Sequence, residues 1–328
     1  MAAPAREVVE LPRRRTALRA AVVALRPRQW SKNLLVFAGI VFASKLGDAV
    51  RWGEALGAFG AYCALSSAAY LVNDLRDREH DRLHPVKRER PVARGELSVG
   101  GAVGLAALLG AAALAITGWL GWPSLGLAAG FAGLQLAYSF GVKHVVLVDV
   151  LAIGGLFVIR AAAGAEAVDV RISPWLLLCT ALLALFLALA KRRGELVLVG
   201  ARETPGRPVL EGYSLELVDQ LVSVVAASTV IAYSLYTFTA RDSKALMVTI
   251  PFVIFGVFRY LLLVHRDDLG EEPEQVLLTD VPILVAVCLW VATAAVATQP
   301  PTATMIGMSV SSTCSGSSPR SSRCTSSR

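Results

Sequence analysis

The chain has 328 residues, of which 55% are hydrophobic and only 17% charged, and its mean hydropathy is +0.58. A soluble domain carries about 25% charged residues, so there is too little polar surface here to cover a globule in water. Several apolar runs approach the roughly 20 residues that cross a bilayer core as a helix, which excludes a soluble enzyme, a disordered protein and a disulfide-stapled secreted domain, and leaves an integral membrane protein.

The N-terminal segment, residues 1–25, is a basic arm with Arg13, Arg14 and Arg15, and no short apolar region with a small-residue cleavage site follows it. It reads as a cytoplasmic arm rather than a removable signal peptide. Nine spans are then predicted, at 30–47, 54–74, 98–120, 122–141, 145–164, 174–190, 217–239, 245–264 and 281–298, and together they define a membrane domain over 26–298. Gly and Ala interrupt several of them, as between Gly100 and Ala113, and small residues let helices approach closely in lipid. The expectation is an all-α, polytopic bundle, since an open sheet cannot satisfy its backbone in hydrocarbon.

The second span ends in the strongest motif, Tyr70-Leu-Val-Asn73-Asp74-Leu-Arg-Asp77-Arg-Glu-His-Asp81. Asn73, Asp74, Asp77 and Asp81 follow NDxxDxxxD, and on a continuous helix i, i+3 and i+7 share one face while Asn73 joins Asp77 at i+4. Three carboxylates gathered in this way repel unless a cation lies between them, and hard oxygen ligands suit Mg²⁺, which completes its shell with water and substrate phosphates. One Asp at a helix end would do no more than mark the membrane interface. An Asn and three Asp on one face point to metal-diphosphate binding.

The motif is followed by Lys87-Arg88-Glu-Arg90-Pro-Val-Ala-Arg94. Lys87 and Arg90 are the cations expected to meet the diphosphate that the metal bridges, whereas attraction to lipid headgroups would account equally for Arg88 and Arg94. Lys143, just beyond the fourth span, is placed to meet a phosphate, while His144 and His265 read as interfacial. Arg160 falls inside the fifth span, where a charge costs at least about 2.5–3.5 kcal/mol; it must face substrate or pair with Glu166 or Asp149. Arg259, near the inner end of the eighth span, either reaches the same chamber or snorkels. His80 and His84 lack any zinc spacing, the acidic run Asp267, Asp268, Glu271, Glu272 and Glu274 reads as a solvated loop, and the Ser-rich tail 299–328 as disordered.

With the N-terminus inside, most of the 32 Lys and Arg lie in cytoplasmic segments, and the external loops hold Lys45, Arg51, Arg171, Arg241 and Lys244. That asymmetry follows the positive-inside rule and accounts for the net charge of +7 without nucleic acid. The expected location is the plasma membrane, with chemistry at the cytoplasmic face. The five cysteines form no CxxC pair, so they support neither a zinc site nor a disulfide framework.

At NDxxDxxxD, and at Arg26-Pro-Arg28-Gln-Trp30-Ser-Lys32-Asn33 before the first span, the chain resembles the UbiA superfamily of intramembrane prenyltransferases over about residues 20–298. The resemblance implies nine helices around a polar chamber open to the cytoplasm. Most members carry a second DxxxD cluster after the sixth helix; here that loop begins Lys191-Arg192-Arg193-Gly194-Glu195 and continues to Tyr213. This departure, with Tyr138-Ser-Phe-Gly141-Val-Lys143-His144, Asp149 and Ile159-Arg160-Ala-Ala-Ala-Gly164, is similar to a branch whose members transfer phosphoribose to polyprenyl phosphate for cell-wall arabinan. That branch implies phosphoribosyl diphosphate (PRPP) and a polyprenyl phosphate as substrates in a lipid bilayer and Mg²⁺ as cofactor. Asp74, Asp77 and Asp81 would be catalytic and, with Asn73, would hold the metal; Asn73, Lys87, Arg90, Lys143, Arg160, Lys191, Arg192 and Tyr213 would bind substrate. Two phosphates beyond the diphosphate call for cations rather than a second pair of acids. Topology anchoring is the plainer role for Lys191, Arg192 and Arg193. An aromatic prenyltransferase is the rival enzyme and would need the missing DxxxD; a transporter would need paired half-helices or repeats.

Overall fold

The computed structural model describes residues 15–42, 47–83, 87–202, 208–239, 244–266, 276 and 279–298. The chain is all-α among these residues; most of the basic arm, the acidic run 267–274, His84 and the Ser-rich tail lie outside them. Helix α1 spans Ala17–Leu25 and starts at Thr16, whose hydroxyl accepts from the Arg19 amide at 3.4 Å. At Arg26 the backbone turns left-handed (φ 53, ψ 61) and redirects the chain.

The first predicted span takes a different form. Residues Pro27–Phe37 wind as a 3₁₀ helix, followed by the short α2, Ala38–Phe42. Hydropathy reports that a segment is apolar, whereas the winding is decided by its neighbours. Here the backbone lies directly against another helix: a methyl on Gly164 would overlap the Val36 carbonyl, and one on Gly39 would come within 2.7 Å of Gly164 and Ala165. Trp30 Nε1 also donates to Ser67 Oγ at 3.1 Å, and that hydroxyl donates to the Leu25 carbonyl at 2.9 Å.

The remaining elements are α3 (Ala49–Arg76), α4 (Arg78–Leu83), α5 (Val99–Leu120), α6 (Trp122–Phe140), α7 (Val148–Ala167), α8 (Pro174–Arg202), α9 (Leu215–Thr239), α10 (Ile250–Arg266) and α11 (Val281–Thr298). Their starts are encoded locally. Asp48 caps α3 by accepting from the Val50 and Arg51 amides at 3.0 and 3.2 Å, and Ser98 caps α5 through the Gly101 amide at 3.1 Å. Among the described residues six helices are long and apolar enough to cross a membrane: α3, α5, α7, α8, α9 and the segment containing α10. Helices α6 and α11 fill the predicted 122–141 and 281–298 without reaching that length and hydropathy together. The chain is a multi-pass membrane protein.

Among the described residues the two largest apolar clusters hold the bundle. One gathers Tyr62, Leu65, Ala113, Ala128 and Phe131 from α3, α5 and α6, with Leu156 and Ala163 of α7. The other gathers Phe186, Leu189, Val222, Tyr260 and Ile283 from α8 to α11, with Val150 of α7. Helix α7 is therefore the seam, and its run Ala161-Ala-Ala-Gly164-Ala165 is almost wholly enclosed. Apolar side chains on α5 point outward instead. Trp119 and Trp122, 80% and 84% exposed, flank the one-residue turn at Gly121, whose φ of 134 only glycine adopts readily.

Candidate functional site

Charged side chains collect at one end of the bundle, where α3, α6, α8 and α10 finish and α7, α9 and α11 begin. Helix α3 does not carry NDxxDxxxD on a single face. It ends at Arg76, Asp77 is its C-cap residue (φ −89, ψ 6), and α4 restarts at Arg78. The 2.8 Å hydrogen bond from the Asp81 amide to the Asp77 carbonyl carries the chain through the break, so Asp74 and Asp81 still face one another. Both are buried, at 1% and 3% exposure, and one nitrogen, Arg90 Nη1, reaches Asp74 Oδ1 at 3.1 Å and Asp81 Oδ2 at 2.7 Å.

Arg26 completes this cluster. Its Nη2 lies 2.5 Å from Asp74 Oδ1 and its guanidinium carbon 4.8 Å from the Tyr70 ring centre. Among the described residues Asp74 Oδ2 is buried with no hydrogen-bond partner. Asp77 turns the other way and accepts from Lys143 Nζ at 3.2 Å; Lys143 stands on the short turn Val142–His144 after α6. Arg76 fixes that neighbourhood by donating to the Ser139 and Phe140 carbonyls, with its guanidinium stacked 4.8 Å from the Phe140 ring centre. Asn73 is half-buried on the last turn of α3, and Lys87 is half-buried on the 3₁₀ turn Lys87–Glu89.

A second network lies across the rim. Arg192 on α8 is 1% exposed; its Nε donates to Asp149 Oδ2 at 2.8 Å, Nη1 donates to Glu195, and Nη2 lies 3.5 Å from the Tyr138 hydroxyl. Tyr213 donates to Asp149 Oδ1 at 2.7 Å and accepts from the Leu147 amide at 2.7 Å. Burial, reinforced by the hydrogen bond to Asp149, pushes the Tyr213 phenol up to about 12, so it stays a protonated donor at neutral pH. Arg192 was expected from the sequence to face a phosphate; each of its nitrogens instead has a protein partner, which makes it a strut between α6, α7 and α8. Arg193 is likewise engaged, by Asp219 at 2.7 Å and the Val264 carbonyl at 3.0 Å. Lys191, beside them on α8, is half-buried.

Arg160 sits deeper in the seam. It does not pair with Glu166 or Asp149: Nε donates to Asn33 Oδ1 at 2.7 Å and Nη1 to the Leu156 carbonyl at 3.1 Å, and the guanidinium lies 4.6 and 5.3 Å from the Phe131 and Phe157 ring centres. Among the described residues it forms no ion pair. The Tyr62 hydroxyl, also buried, has no hydrogen-bond partner among the described residues. Arg259 binds Asp280, with Nη2 to Oδ2 at 2.9 Å, and so takes no place in the Asp74 cluster. Sequence reasoning assigned no role to Arg26 or Asn33; the signal available was their position in the Arg26–Asn33 stretch that carries part of the family likeness.

A profile of the UbiA prenyltransferase family matches residues 34–279. The chain belongs to the UbiA prenyltransferase family. Within it, the chain is 36% identical over 288 residues to the decaprenyl-phosphate phosphoribosyltransferase of Mycolicibacterium smegmatis, covering 83% of this chain and 90% of the relative. The protein of the same name from Mycobacterium tuberculosis is 37% identical over 283 residues, with 83% and 92% covered. The fold matches that of a UbiA homologue from Archaeoglobus fulgidus bound to GPP and Mg²⁺, with a TM-score of 0.68 and 19% identity over 85% of this chain and 99% of that one.

The UbiA likeness poses the question of a divalent ion. Among the described residues no three acidic, His or Cys side chains converge closely enough to hold one, and Asp77 is engaged by Lys143. Asp74 and Asp81 nevertheless supply hard oxygens on either side of one guanidinium nitrogen, and the orphaned Asp74 Oδ2 is a buried acceptor short of a partner. This donor set fits Mg²⁺.

Proposed function

We propose that this protein transfers 5-phosphoribose from PRPP to a polyprenyl phosphate, giving polyprenyl-phosphoryl-5-phosphoribose and diphosphate. The observation that carries the reading is the surplus of cations around the rim. On α8, where a second acidic pair would serve a prenyl diphosphate, the chain carries Lys191, Arg192 and Arg193 instead; Arg192 and Arg193 brace the rim through Asp149, Glu195 and Asp219, and Lys191 stands beside them among the rim cations Arg26, Lys87, Arg90 and Lys143. The names of the relatives at 36–37% identity support the same transferred group and acceptor.

In this mechanism Asp74 and Asp81, with Asp77 and Asn73 adjoining, would hold Mg²⁺, which would supply positive charge to offset the charge that develops as diphosphate departs. Arg90 and Arg26, now shared among carboxylates, and Lys87 turn towards the diphosphate when it arrives. Lys143 leaves Asp77 for a phosphate oxygen, and Lys191 serves the remaining phosphates. Arg160, a buried cation whose partners among the described residues are neutral, offers its charge to an anionic substrate. The C1–O bond to diphosphate breaks with its electron pair going to the leaving group, and an oxygen of the acceptor phosphate forms the new bond to C1. That phosphate is already ionised, so positioning and charge neutralisation carry the catalysis. A single displacement inverts C1, and a product with retained configuration would contradict it.

We further infer nine crossings, with the rim and the N-terminus facing the cytoplasm, where the basic loops belong. The test uses purified protein in detergent with Mg²⁺, labelled PRPP and a polyprenyl phosphate, beside Asp77→Ala. Label should enter the lipid phase, and both EDTA and the substitution should abolish the transfer. Turnover of a prenyl diphosphate with an aromatic acid, and none with PRPP, would instead establish an aromatic prenyltransferase.

A further inference from the structure

Leu147 is one of the few non-glycine residues with positive φ (φ 65, ψ −37), and it stands between Lys143 and the start of α7. A branched side chain pays for such a backbone in strain unless its surroundings enforce it. Here the enforcement is visible. The Leu147 amide donates to the Tyr213 hydroxyl at 2.7 Å, and that hydroxyl donates to Asp149 Oδ1 at 2.7 Å. Asp149 is in turn fixed by Arg192 at 2.8 Å. The adjoining Gly212 lies so close to Val146 that a methyl there would overlap the valine side chain. The segment after α8 therefore clasps the turn after α6, and on that turn Lys143 extends 3.2 Å from Asp77.

We propose that Tyr213 is a positioning residue: its hydroxyl holds Leu147 in its positive-φ conformation and thereby aims Lys143 at the acidic motif and at the donor's phosphate. The substrate half of this statement rests on the function proposed above; the structural half does not. Tyr213 touches no reacting atom. Its ring packs in the apolar core of α8 to α10, so Tyr213→Phe keeps the packing and removes only the clasp. Leu147 is 46% exposed, and Leu147→Gly relieves the strain at little cost in burial.

Amide hydrogen exchange on the substrate-free protein in detergent reads the clasp directly. The Leu147 amide should be protected in the wild type, and its exchange should accelerate about tenfold in Tyr213→Phe, as befits one lost hydrogen bond. In the transfer assay Tyr213→Phe should raise KM for PRPP about fivefold or more with a smaller change in kcat, and should add nothing further in a Lys143→Ala background. Leu147→Gly should restore the Tyr213→Phe enzyme to within about twofold of Leu147→Gly alone. An unprotected Leu147 amide in the wild type, a finding that needs no variant to fold, would overturn the proposal. So would a Tyr213→Phe defect that Leu147→Gly leaves untouched, since the hydroxyl would then be acting on substrate itself. Absence of any PRPP transfer by the wild type would refute the assigned reaction while the exchange data still judged the clasp.

Discussion

Arg192 shows how a single side chain changes meaning between sequence and structure. In the sequence it is one of three successive cations after an apolar run; in the bundle its nitrogens are divided among Asp149, Glu195 and Tyr138. Removing one member of a buried pair strands the other, at a cost of about 3–5 kcal/mol. Asp149→Asn, which keeps the shape and removes the charge, should lower the melting temperature in detergent markedly, and Arg192→Met alone should do the same. The double variant Asp149→Leu with Arg192→Met should recover much of that loss, as thermal unfolding would show. The acidic motif was legible because its four residues lie within nine positions of one another and share a spacing. The partner of Arg192 was not, since 43 residues separate it from Asp149 and no local pattern links them. Arg160 was legible as a charge needing a partner, but its solution combines the Asn33 side-chain amide from 127 residues away, the Phe131 ring from α6 and the Phe157 ring of its own helix.

At the scale of elements, the helices were readable from apolar runs and from caps such as Asp48 and Ser98, and the exceptions have identifiable causes. The break at Asp77 was hidden because the acidic spacing suits a continuous helix equally well. The 3₁₀ winding of Pro27–Phe37 was hidden because it answers to backbone contact with α7. That contact yields a firm expectation: Gly164→Ala places a methyl on the Val36 carbonyl, where no side chain can yield, so the variant should lose about 1–3 kcal/mol or more and the drop in thermal stability should exceed that of Gly126→Ala, where a methyl meets open space. Helix α11 depends on Asp280, which accepts from the Ile283 amide at 3.0 Å and from Arg259 at 2.9 Å. The Arg259 guanidinium, followed by the Ile283 amide, holds the Asp280 carboxyl below the usual carboxylate range. A depressed pKa means stability that is present above the unfolded value of about 3.9 and lost as pH falls through the lower folded value. Asp280→Ala should therefore be less stable at neutral pH by about 1 kcal/mol, and the gap from the wild type should close in acid melts.

For the whole molecule, membership of the UbiA family and the all-α bundle were both within reach of the sequence, whereas the meeting of the two largest apolar clusters along α7 needed coordinates. The Asp149 network is built on that seam, joining α6, α7 and α8, while the Asp74 cluster gathers Arg26, Arg90 and Asp81 around the end of α3. The tryptophans at the Gly121 turn give the arrangement a vertical reference. Trp119 and Trp122 are exposed at the end of the bundle away from the charged rim, and aromatic rings of this kind settle at the headgroup level. From them α6 runs back for 19 residues, about 28 Å at 1.5 Å per residue, close to the roughly 30 Å of a hydrocarbon core. The far leaflet thus acts as a datum for the depth of Lys143. A thicker bilayer would draw the rim below the plane where a lipid phosphate resides, and a thinner one would lift it clear. Hydrophobic mismatch becomes a kinetic variable: in reconstituted vesicles of increasing acyl-chain length, transfer to the lipid acceptor should pass through a maximum, and replacing both tryptophans with alanine should flatten it.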